Sequence, residues 1–325
     1  MCAEPSVLES IETTMPLQVL RTTRESDSVV SLDLATIDGR PVPEWQPGAH
    51  IDVKLGNGLV RQYSLCGDYT DRSHWRIAVL RDPSSRGGSQ FIHANIRPGQ
   101  QIQVVGPRNH FHLVPAERYL FIAGGIGITP ILPMLQQATA AGTPWTLVYG
   151  GRSRTSMAFL DSIRHYDSGN VFLIPQDECG IIDLERFLSR LRPNTAVYCC
   201  GPGPLIDAVE TVCQTWPPGS LHRERFSPRQ RSESADDGSF EVVLAKSGRV
   251  IQVAAGENLL SALEDAGYKV TNSCRAGICG TCLLTVLGGT PDHQDDLLSD
   301  DQRDSGTMIL PCVSRSKSKQ LILDL

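Results

Sequence analysis

The 325-residue sequence is poor in aromatic residues, at 6%, and carries no surplus of basic charge: 30 Lys plus Arg stand against 36 Asp plus Glu, a formal net charge of -6. A nucleic-acid binder draws on a basic stripe and on rings that stack on bases, so both shortages argue against that class. A long apolar run is missing too. The one charge-free stretch, Tyr119 to Gly151, is interrupted by Gly124-Gly125, Pro130, Pro133, Gln136-Gln137 and Gly142, short of the roughly 18 apolar residues of a spanning helix. Glu4 and Glu9 stand where a secretory leader would place a basic patch and an apolar core. The expectation is a cytoplasmic protein with neither membrane nor nucleic-acid partner. Its 40% hydrophobic content supplies two or three packed cores.

Cysteine is unevenly spread. Of 10 cysteines, four fall between Cys274 and Cys312, and the other six scatter over the preceding 273 positions. Clustered cysteines in a chain of this kind are metal ligands or redox centres more often than disulfides. Cys2, Cys66, Cys179, Cys199 and Cys213 are expected to be small, mostly buried apolar side chains.

Three patterns follow one another along the chain. From Leu17 to Val114, short alternating stretches such as His50 to Leu55 and Trp75 to Leu80, punctuated by Gly56-Asn57-Gly58 and Pro98-Gly99, predict an antiparallel β-barrel with no long helix. From Tyr119, strands alternate with helices: strands at 119–123, 146–149, 170–174 and 196–199, helices ending near Gly142 and at 158–165 and 184–191. That alternation predicts a parallel sheet covered by helices. A polar segment after Phe226 reads as a linker, and a third unit opens with a hairpin, Phe240 to Leu244 and Arg249 to Val253, and a helix from about Asn258 to Ala266. The predicted organisation is an N-terminal extension (1–16), a barrel (17–115), an α/β domain (116–226), a linker (227–238) and an α+β domain (239–325).

The most specific motif is Cys274-x4-Cys279-x2-Cys282, followed after 29 intervening residues by Cys312. This is the plant-type spacing for a 2Fe–2S cluster: three thiolates turn inward on a tight loop, for which Gly277 and Gly280 give the backbone freedom. The alternative is a structural zinc site, although zinc ligands usually come as two C-x2-C pairs. Gly124-Gly125-Ile126-Gly127-Ile128-Thr129 lies between a strand and a helix, where free N–H groups favour a pyrophosphate, but it departs from G-x-G-x-x-G and also suits a plain tight turn. Cys199-Cys200-Gly201-Pro202 lies on the same predicted sheet edge and also reads as an ordinary helix start. Upstream, Arg61-Gln62-Tyr63-Ser64 offers a guanidinium, a ring and a hydroxyl along one strand, and Arg86-Gly87-Gly88-Ser89 a nest-like turn for a phosphate.

In this order the motifs resemble the ferredoxin-NADP reductase superfamily, and the C-terminal cysteine motif narrows the resemblance to the phthalate dioxygenase reductase family, including the reductases of vanillate O-demethylase and carnitine monooxygenase. It covers residues 17–325. The resemblance implies FMN in the barrel, with Arg61 on its phosphate, Tyr63 against its ring, Ser64 near N5, and Gly87, Gly88 and Ser89 on the phosphate's other side. It implies NADH as donor, with Gly125, Gly127 and Thr129 in the nucleotide turn and Cys200, Gly201 and Pro202 beside the nicotinamide; Ser64, Cys200 and Phe226 are the expected catalytic positions, Phe226 as an aromatic cover or else an ordinary core ring. Cys274, Cys279, Cys282 and Cys312 hold the cluster. Arg152 and Arg154 follow the second strand of the sheet, where an arginine suits a 2′-phosphate, which leaves NADPH open; the alternative is two solvated loop charges.

A hydride brings two electrons and the cluster takes one, so a flavin between them completes an electron relay. The partner implied is a separate Rieske-type non-haem iron oxygenase or demethylase. The alternatives are a cytochrome P450 or other haem protein as acceptor, or a non-enzymatic redox sensor. An acidic stretch, Asp292, Asp295, Asp296, Asp300, Asp301 and Asp304 with Arg303, is either a surface that steers a basic partner or a solvated loop.

Overall fold

A computed structural model describes residues 14–83, 87–166, 170–189, 193–229 and 238–325, the Asp300 side chain excepted. Residues 230–237 of the predicted linker lie outside these residues, as do Cys2, Arg86 and the end of the helix expected over 184–191. Two units are distinguished, Met1–Arg223 and Glu224–Leu325.

The first unit begins with β1 (Thr14–Arg24), β2 (Val29–Thr36), β3 (Ala49–Lys54), β4 (Val60–Ser64) and β5 (Trp75–Leu80), then α1 (Gly88–Asn95) and β6 (Gln101–Asn109). The strands form an antiparallel sheet in the order β4-β3-β6-β1-β2-β5. A single bridge, Leu65 to Ile77, and the Cys66 N–H donating to the Arg76 carbonyl at 2.9 Å draw the two edges together. Alternation along each strand sends Leu17, Leu32, Leu34, Ile51, Ile77 and Val104 into one core around Trp75, all at most 1% exposed. The expectation of a barrel without a long helix holds, but the Gly87-Gly88-Ser89 motif is the start of the eight-residue α1 rather than a bare turn.

Next come β7 (Arg118–Gly124), α2 (Ile128–Ala140), β8 (Trp145–Gly151), α3 (Leu160–Ile163), β9 (Val171–Pro175), α4 (Gln176–Cys179), α5 (Leu184–Leu188), β10 (Thr195–Gly201), α6 (Gly203–Cys213) and β11 (Leu221–Arg225). The sheet order is β11-β10-β7-β8-β9, and the pairs of β7 with β8 and β10, and of β8 with β9, are parallel. Successive residues of β7 feed opposite cores. Phe121 and Ala123 pack with Ile131, Met134 and Leu135 of α2, while Leu120 and Ile122 pack with Ile206 and Val209 of α6. Both faces are therefore covered, which is why β7 reads as a continuous apolar run. The Tyr198 hydroxyl accepts from the Val114 N–H at 2.7 Å and donates to the His112 carbonyl at 3.0 Å, pinning the segment that joins barrel to sheet.

The second unit holds β12 (Phe240–Leu244), β13 (Val250–Val253), α7 (Leu259–Asp265), β14 (Leu284–Gly288), β15 (Pro291–Asp292), α8 (Asp300–Ser305), β16 (Met308–Ile309), β17 (Arg315–Ser316) and β18 (Gln320–Leu323). Here β12 pairs antiparallel with β13 and parallel with β18, in a mixed sheet of order β13-β12-β18-β14-β16. The predicted hairpin and helix are both present, α7 being capped by Asn258, whose side chain accepts from the Ser261 N–H at 3.2 Å. Buried Leu259 and Leu263 pack α7 against Val242, Leu244, Leu321 and Leu323.

Candidate electron-transfer sites

The four cysteines come together from a loop and from a segment 30 positions further along the chain. Cys279, Cys282 and Cys312 are buried and Cys274 is half-buried. They associate in two pairs. Cys274 hydrogen-bonds Cys279, and Cys312 hydrogen-bonds Cys282. The bonds that Cys279 and Cys282 accept hold their thiols below the usual range, Cys279 at about 5, while those of Cys274 and Cys312 are pushed up. Among the described residues no three His, Cys, Asp or Glu side chains gather as a ligand set for one ion.

The loop is braced from behind. A Cβ at Gly277 would lie 2.6 Å from Val313 Cγ2 and 3.1 Å from the Cα of Asp295, so only glycine lets the loop approach this closely. The Asp296 N–H donates to the Gly277 carbonyl at 3.0 Å. Asp295, 3% exposed, accepts from the N–H groups of Leu297 and Leu298 at 3.1 and 2.8 Å and sits 3.4 Å from Arg303. Asp296 accepts from Arg229 Nε at 3.0 Å. Two of the six acidic residues set aside as a steering surface or solvated loop are therefore structural.

In the barrel, β4 presents Arg61 and Tyr63 on one face and Ser64 on the other, as alternation requires. A Cβ at Gly88 would meet Arg61 Nε at 2.6 Å and Cγ at 2.7 Å, so the absence of a side chain there lets the guanidinium lie against the start of α1. Gly87 caps that helix in the left-handed conformation, with no side-chain cap and no acidic residue in the first turn. A guanidinium beside the start of a helix that has no acidic residue in its first turn suits a phosphate. Ser89 is 7% exposed, and its hydroxyl accepts from the Asp82 N–H at 3.3 Å. Burial raises the Tyr63 phenol above its usual range.

Sequence reasoning missed what stands behind Ser64. His50 pairs with it across β3 and β4; the two residues are 6% and 5% exposed, and neither side chain makes a hydrogen bond. Burial, with Arg108 and His110 nearby, holds His50 down at about 3, so the imidazole is neutral. Arg108 pairs with Asp52 at 2.6 Å in the same buried seam. The only sequence signal was polar residues at positions where the strand pattern faces inward.

At the sheet edge, the turn after β7 and the turn after β10 interlock. A Cβ on Gly127 would lie 2.2 Å from the Cys200 carbonyl oxygen, and one on Gly124 2.7 Å from both Pro202 Cδ and Leu205 Cδ2. Gly125, at φ +53°, has nothing within 4 Å of a Cβ position. Gly127, Cys200, Gly201 and Pro202 are thus brought together beside an open surface where α2 begins, its first turn free of acidic residues. Thr129 differs from expectation: it is 2% exposed and its hydroxyl donates to the Ile126 carbonyl at 2.9 Å, bracing the turn from inside. Cys200 is buried. Arg152 is exposed, while Arg154 forms an ion pair with Glu178 at 2.8 Å. Phe226 follows β11 and is 38% exposed, so it is not a core ring. Cys179, expected inside, is exposed at the end of α4.

Parallel sheet, glycine edge and paired thiols define a pyridine-nucleotide-linked iron–sulfur oxidoreductase. A family model for the 2Fe-2S iron-sulfur cluster binding domain matches residues 242–317, and one for the oxidoreductase NAD-binding domain matches 121–172. Phenoxybenzoate dioxygenase subunit beta of Ectopseudomonas oleovorans is 41% identical over 301 residues, 92% of this chain and 94% of that one. A phthalate dioxygenase reductase, described as a modular structure for electron transfer from pyridine nucleotides to 2Fe-2S, is 34% identical with a TM-score of 0.69, covering 96% of this chain and 98% of that one. An intact type IV self-sufficient cytochrome P450 monooxygenase is 41% identical with a TM-score of 0.92; the match covers 96% of this chain but only 41% of the P450 chain. The chain belongs to the phthalate dioxygenase reductase family. The cluster-domain match sets iron–sulfur against the zinc alternative, and membership of a reductase family answers the redox-sensor one. No helix among the described residues is long and apolar enough to cross a membrane.

Proposed function

We infer that this protein is the cytoplasmic reductase component of a multicomponent oxygenase, drawing electrons from NADH and passing them through FMN and a 2Fe–2S cluster to a separate terminal oxygenase of the Rieske non-haem iron type. The convergence of four cysteines within a 2Fe-2S cluster binding domain, in a chain that also carries an NAD-binding domain, is the observation that carries this reading. When bound, FMN takes a hydride as an electron pair and releases electrons singly, and the cluster accepts them one at a time.

The chain's own part is to bind and orient. Arg61 and the N–H groups opening α1, with Gly87, Gly88 and Ser89, hold the flavin phosphate, and Tyr63 lies along the ring. Ser64, fixed on β4 with His50 behind it, presents its hydroxyl toward N5. Gly125 and Gly127 let the dinucleotide backbone approach the start of α2, and Cys200-Gly201-Pro202 borders the nicotinamide. Phe226 keeps an exposed ring just past the end of β11. Cys274, Cys279, Cys282 and Cys312 would hold the cluster, which would supply one-electron acceptance.

A second acceptor reading is favoured by one observation: the same architecture forms two fifths of a self-sufficient P450 chain. Purified chain carrying flavin and cluster, reduced with NADH and offered a Rieske oxygenase and a P450 haem domain in parallel, separates the two. Faster reduction of the Rieske centre supports the proposal, and faster haem reduction replaces it with the P450 reading. A preparation holding zinc at the four thiols, or unable to reduce cytochrome c with NADH, contradicts both.

A further inference from the structure

We propose that Glu178 sets the coenzyme preference of the nucleotide edge by holding Arg154 away from an adenosine 2′-phosphate. The inference rests on the proposed function, in that it assigns the donor's adenosine half to the sheet edge described above.

In a doubly wound sheet the adenosine ribose lies beyond the end of the second strand, where a carboxylate suits a free 2′-hydroxyl and an arginine a 2′-phosphate. The second strand here is β8, and Arg152-Ser153-Arg154-Thr155 follows it with two arginines and no acid. Taken alone, that segment is a phosphate site. The acid arrives instead from the neighbouring strand. β9 ends at Pro175, and the one-turn α4 begins at once, carrying Asp177 and Glu178. Arg154 Nη2 lies 2.8 Å from Glu178 Oε2, and Nε donates to Oε1 at 3.2 Å, so the Nε–Nη2 edge of the guanidinium is held by both oxygens of the carboxylate. The Asp177 N–H also donates to the Arg152 carbonyl at 3.2 Å, tying the two segments by backbone.

The pair does little for the fold. Both side chains are 47% exposed, and an ion pair in that setting contributes little or nothing to stability. Its consequence is local charge. Arg152 and Arg154 are balanced by Asp177 and Glu178, so an incoming dianion meets a fork already taken by a carboxylate. A ribose with a free hydroxyl meets no such conflict and finds a hydrogen-bond acceptor in Glu178. The fork suits a phosphate as well as a carboxylate, so releasing it converts the same site to the other coenzyme.

The test compares wild type, Glu178→Gln, Arg154→Ala and the double variant. It measures the ratio of kcat/KM for NADPH to that for NADH, and the binding of 2′,5′-ADP and 5′-ADP as nicotinamide-free probes. Freeing one charge-assisted fork is expected to raise the NADPH to NADH ratio of Glu178→Gln about tenfold or more, chiefly through KM. Binding of 2′,5′-ADP should tighten with it more than that of 5′-ADP, and the double variant should return to the ratio of Arg154→Ala. A ratio and a 2′,5′-ADP affinity that stay within about twofold of wild type, or a gain that survives Arg154→Ala, overturns the proposal. Failure of the wild type to oxidise either coenzyme would instead overturn the reductase reading, so the two outcomes cannot be confused.

Discussion

The cysteine loop and the nucleotide edge are built on opposite principles. At the cluster, side chains carry the chemistry and the backbone follows: four thiols in two pairs, with Gly277 needed only because Val313 and Asp295 press on the loop. At the sheet edge the backbone carries the chemistry and side chains are kept out, since a Cβ at Gly127 would enter the Cys200 carbonyl. A site written in reactive side chains is recognised by spacing, while one written in their absence is recognised only in the fold.

Substitutions at the two sites should therefore fail differently. The largest effect is expected from Cys279→Ser, which removes a ligand without removing a packing contact: reduction of cytochrome c by NADH should fall to background while flavin bleaching by NADH persists in stopped flow. Loss of both half-reactions in a folded variant would break the assignment of a sequential relay. Gly127→Ala should act on structure and nucleotide together, lowering stability by about 2 kcal/mol in urea titration and raising KM for NADH, because the methyl has only backbone to displace. In the same titration Gly125→Ala should cost less, about 1 kcal/mol, since its strain is conformational and its surroundings are open. An equal loss at both positions would show that the turn responds to φ rather than to the interlock.

The remaining effect, confined to acid pH, concerns the barrel side. His50 has its pKa lowered from 6.5 to about 3 in the fold, so the unfolded chain takes up a proton over that interval and the folded chain does not. Its contribution to stability is complete above pH 6.5 and is lost as pH falls toward 3, with a slope of at most about 1.4 kcal/mol per pH unit. His50→Gln should flatten that part of the stability profile measured by chemical denaturation. An unchanged slope would show that His50 is already protonated in the fold.

How much could be read beforehand follows the same division. The cluster domain was legible because x4 and x2 gaps between cysteines suit the geometry of thiolates around a cluster. The barrel and the parallel sheet were legible from period-two alternation and from buried strands such as Tyr119 to Ala123. Strand β11 was not: Leu221–Arg225 carries one apolar residue in five and lies at the sheet's edge, mostly half-buried, so its pattern resembles a loop. The short α1 was hidden by the glycines that begin it. Glu178 was invisible because it stands 24 residues from Arg154 and meets it only through the pairing of β8 with β9. The acidic run after Pro291 was misjudged in part because burial of Asp295 and Asp296 depends on arginines and N–H groups that local composition does not place.

The central claim is that one polypeptide turns an electron pair into single electrons for a distant acceptor. Anaerobic titration of the purified holoprotein with NADH, followed by visible absorption and by low-temperature paramagnetic resonance, tests it most directly. The account predicts flavin bleaching together with a reduced 2Fe–2S signal, in a protein whose iron and acid-labile sulfide are present in equal amounts. Flavin bleaching with no reduced-cluster signal, despite that iron and sulfide, would contradict it.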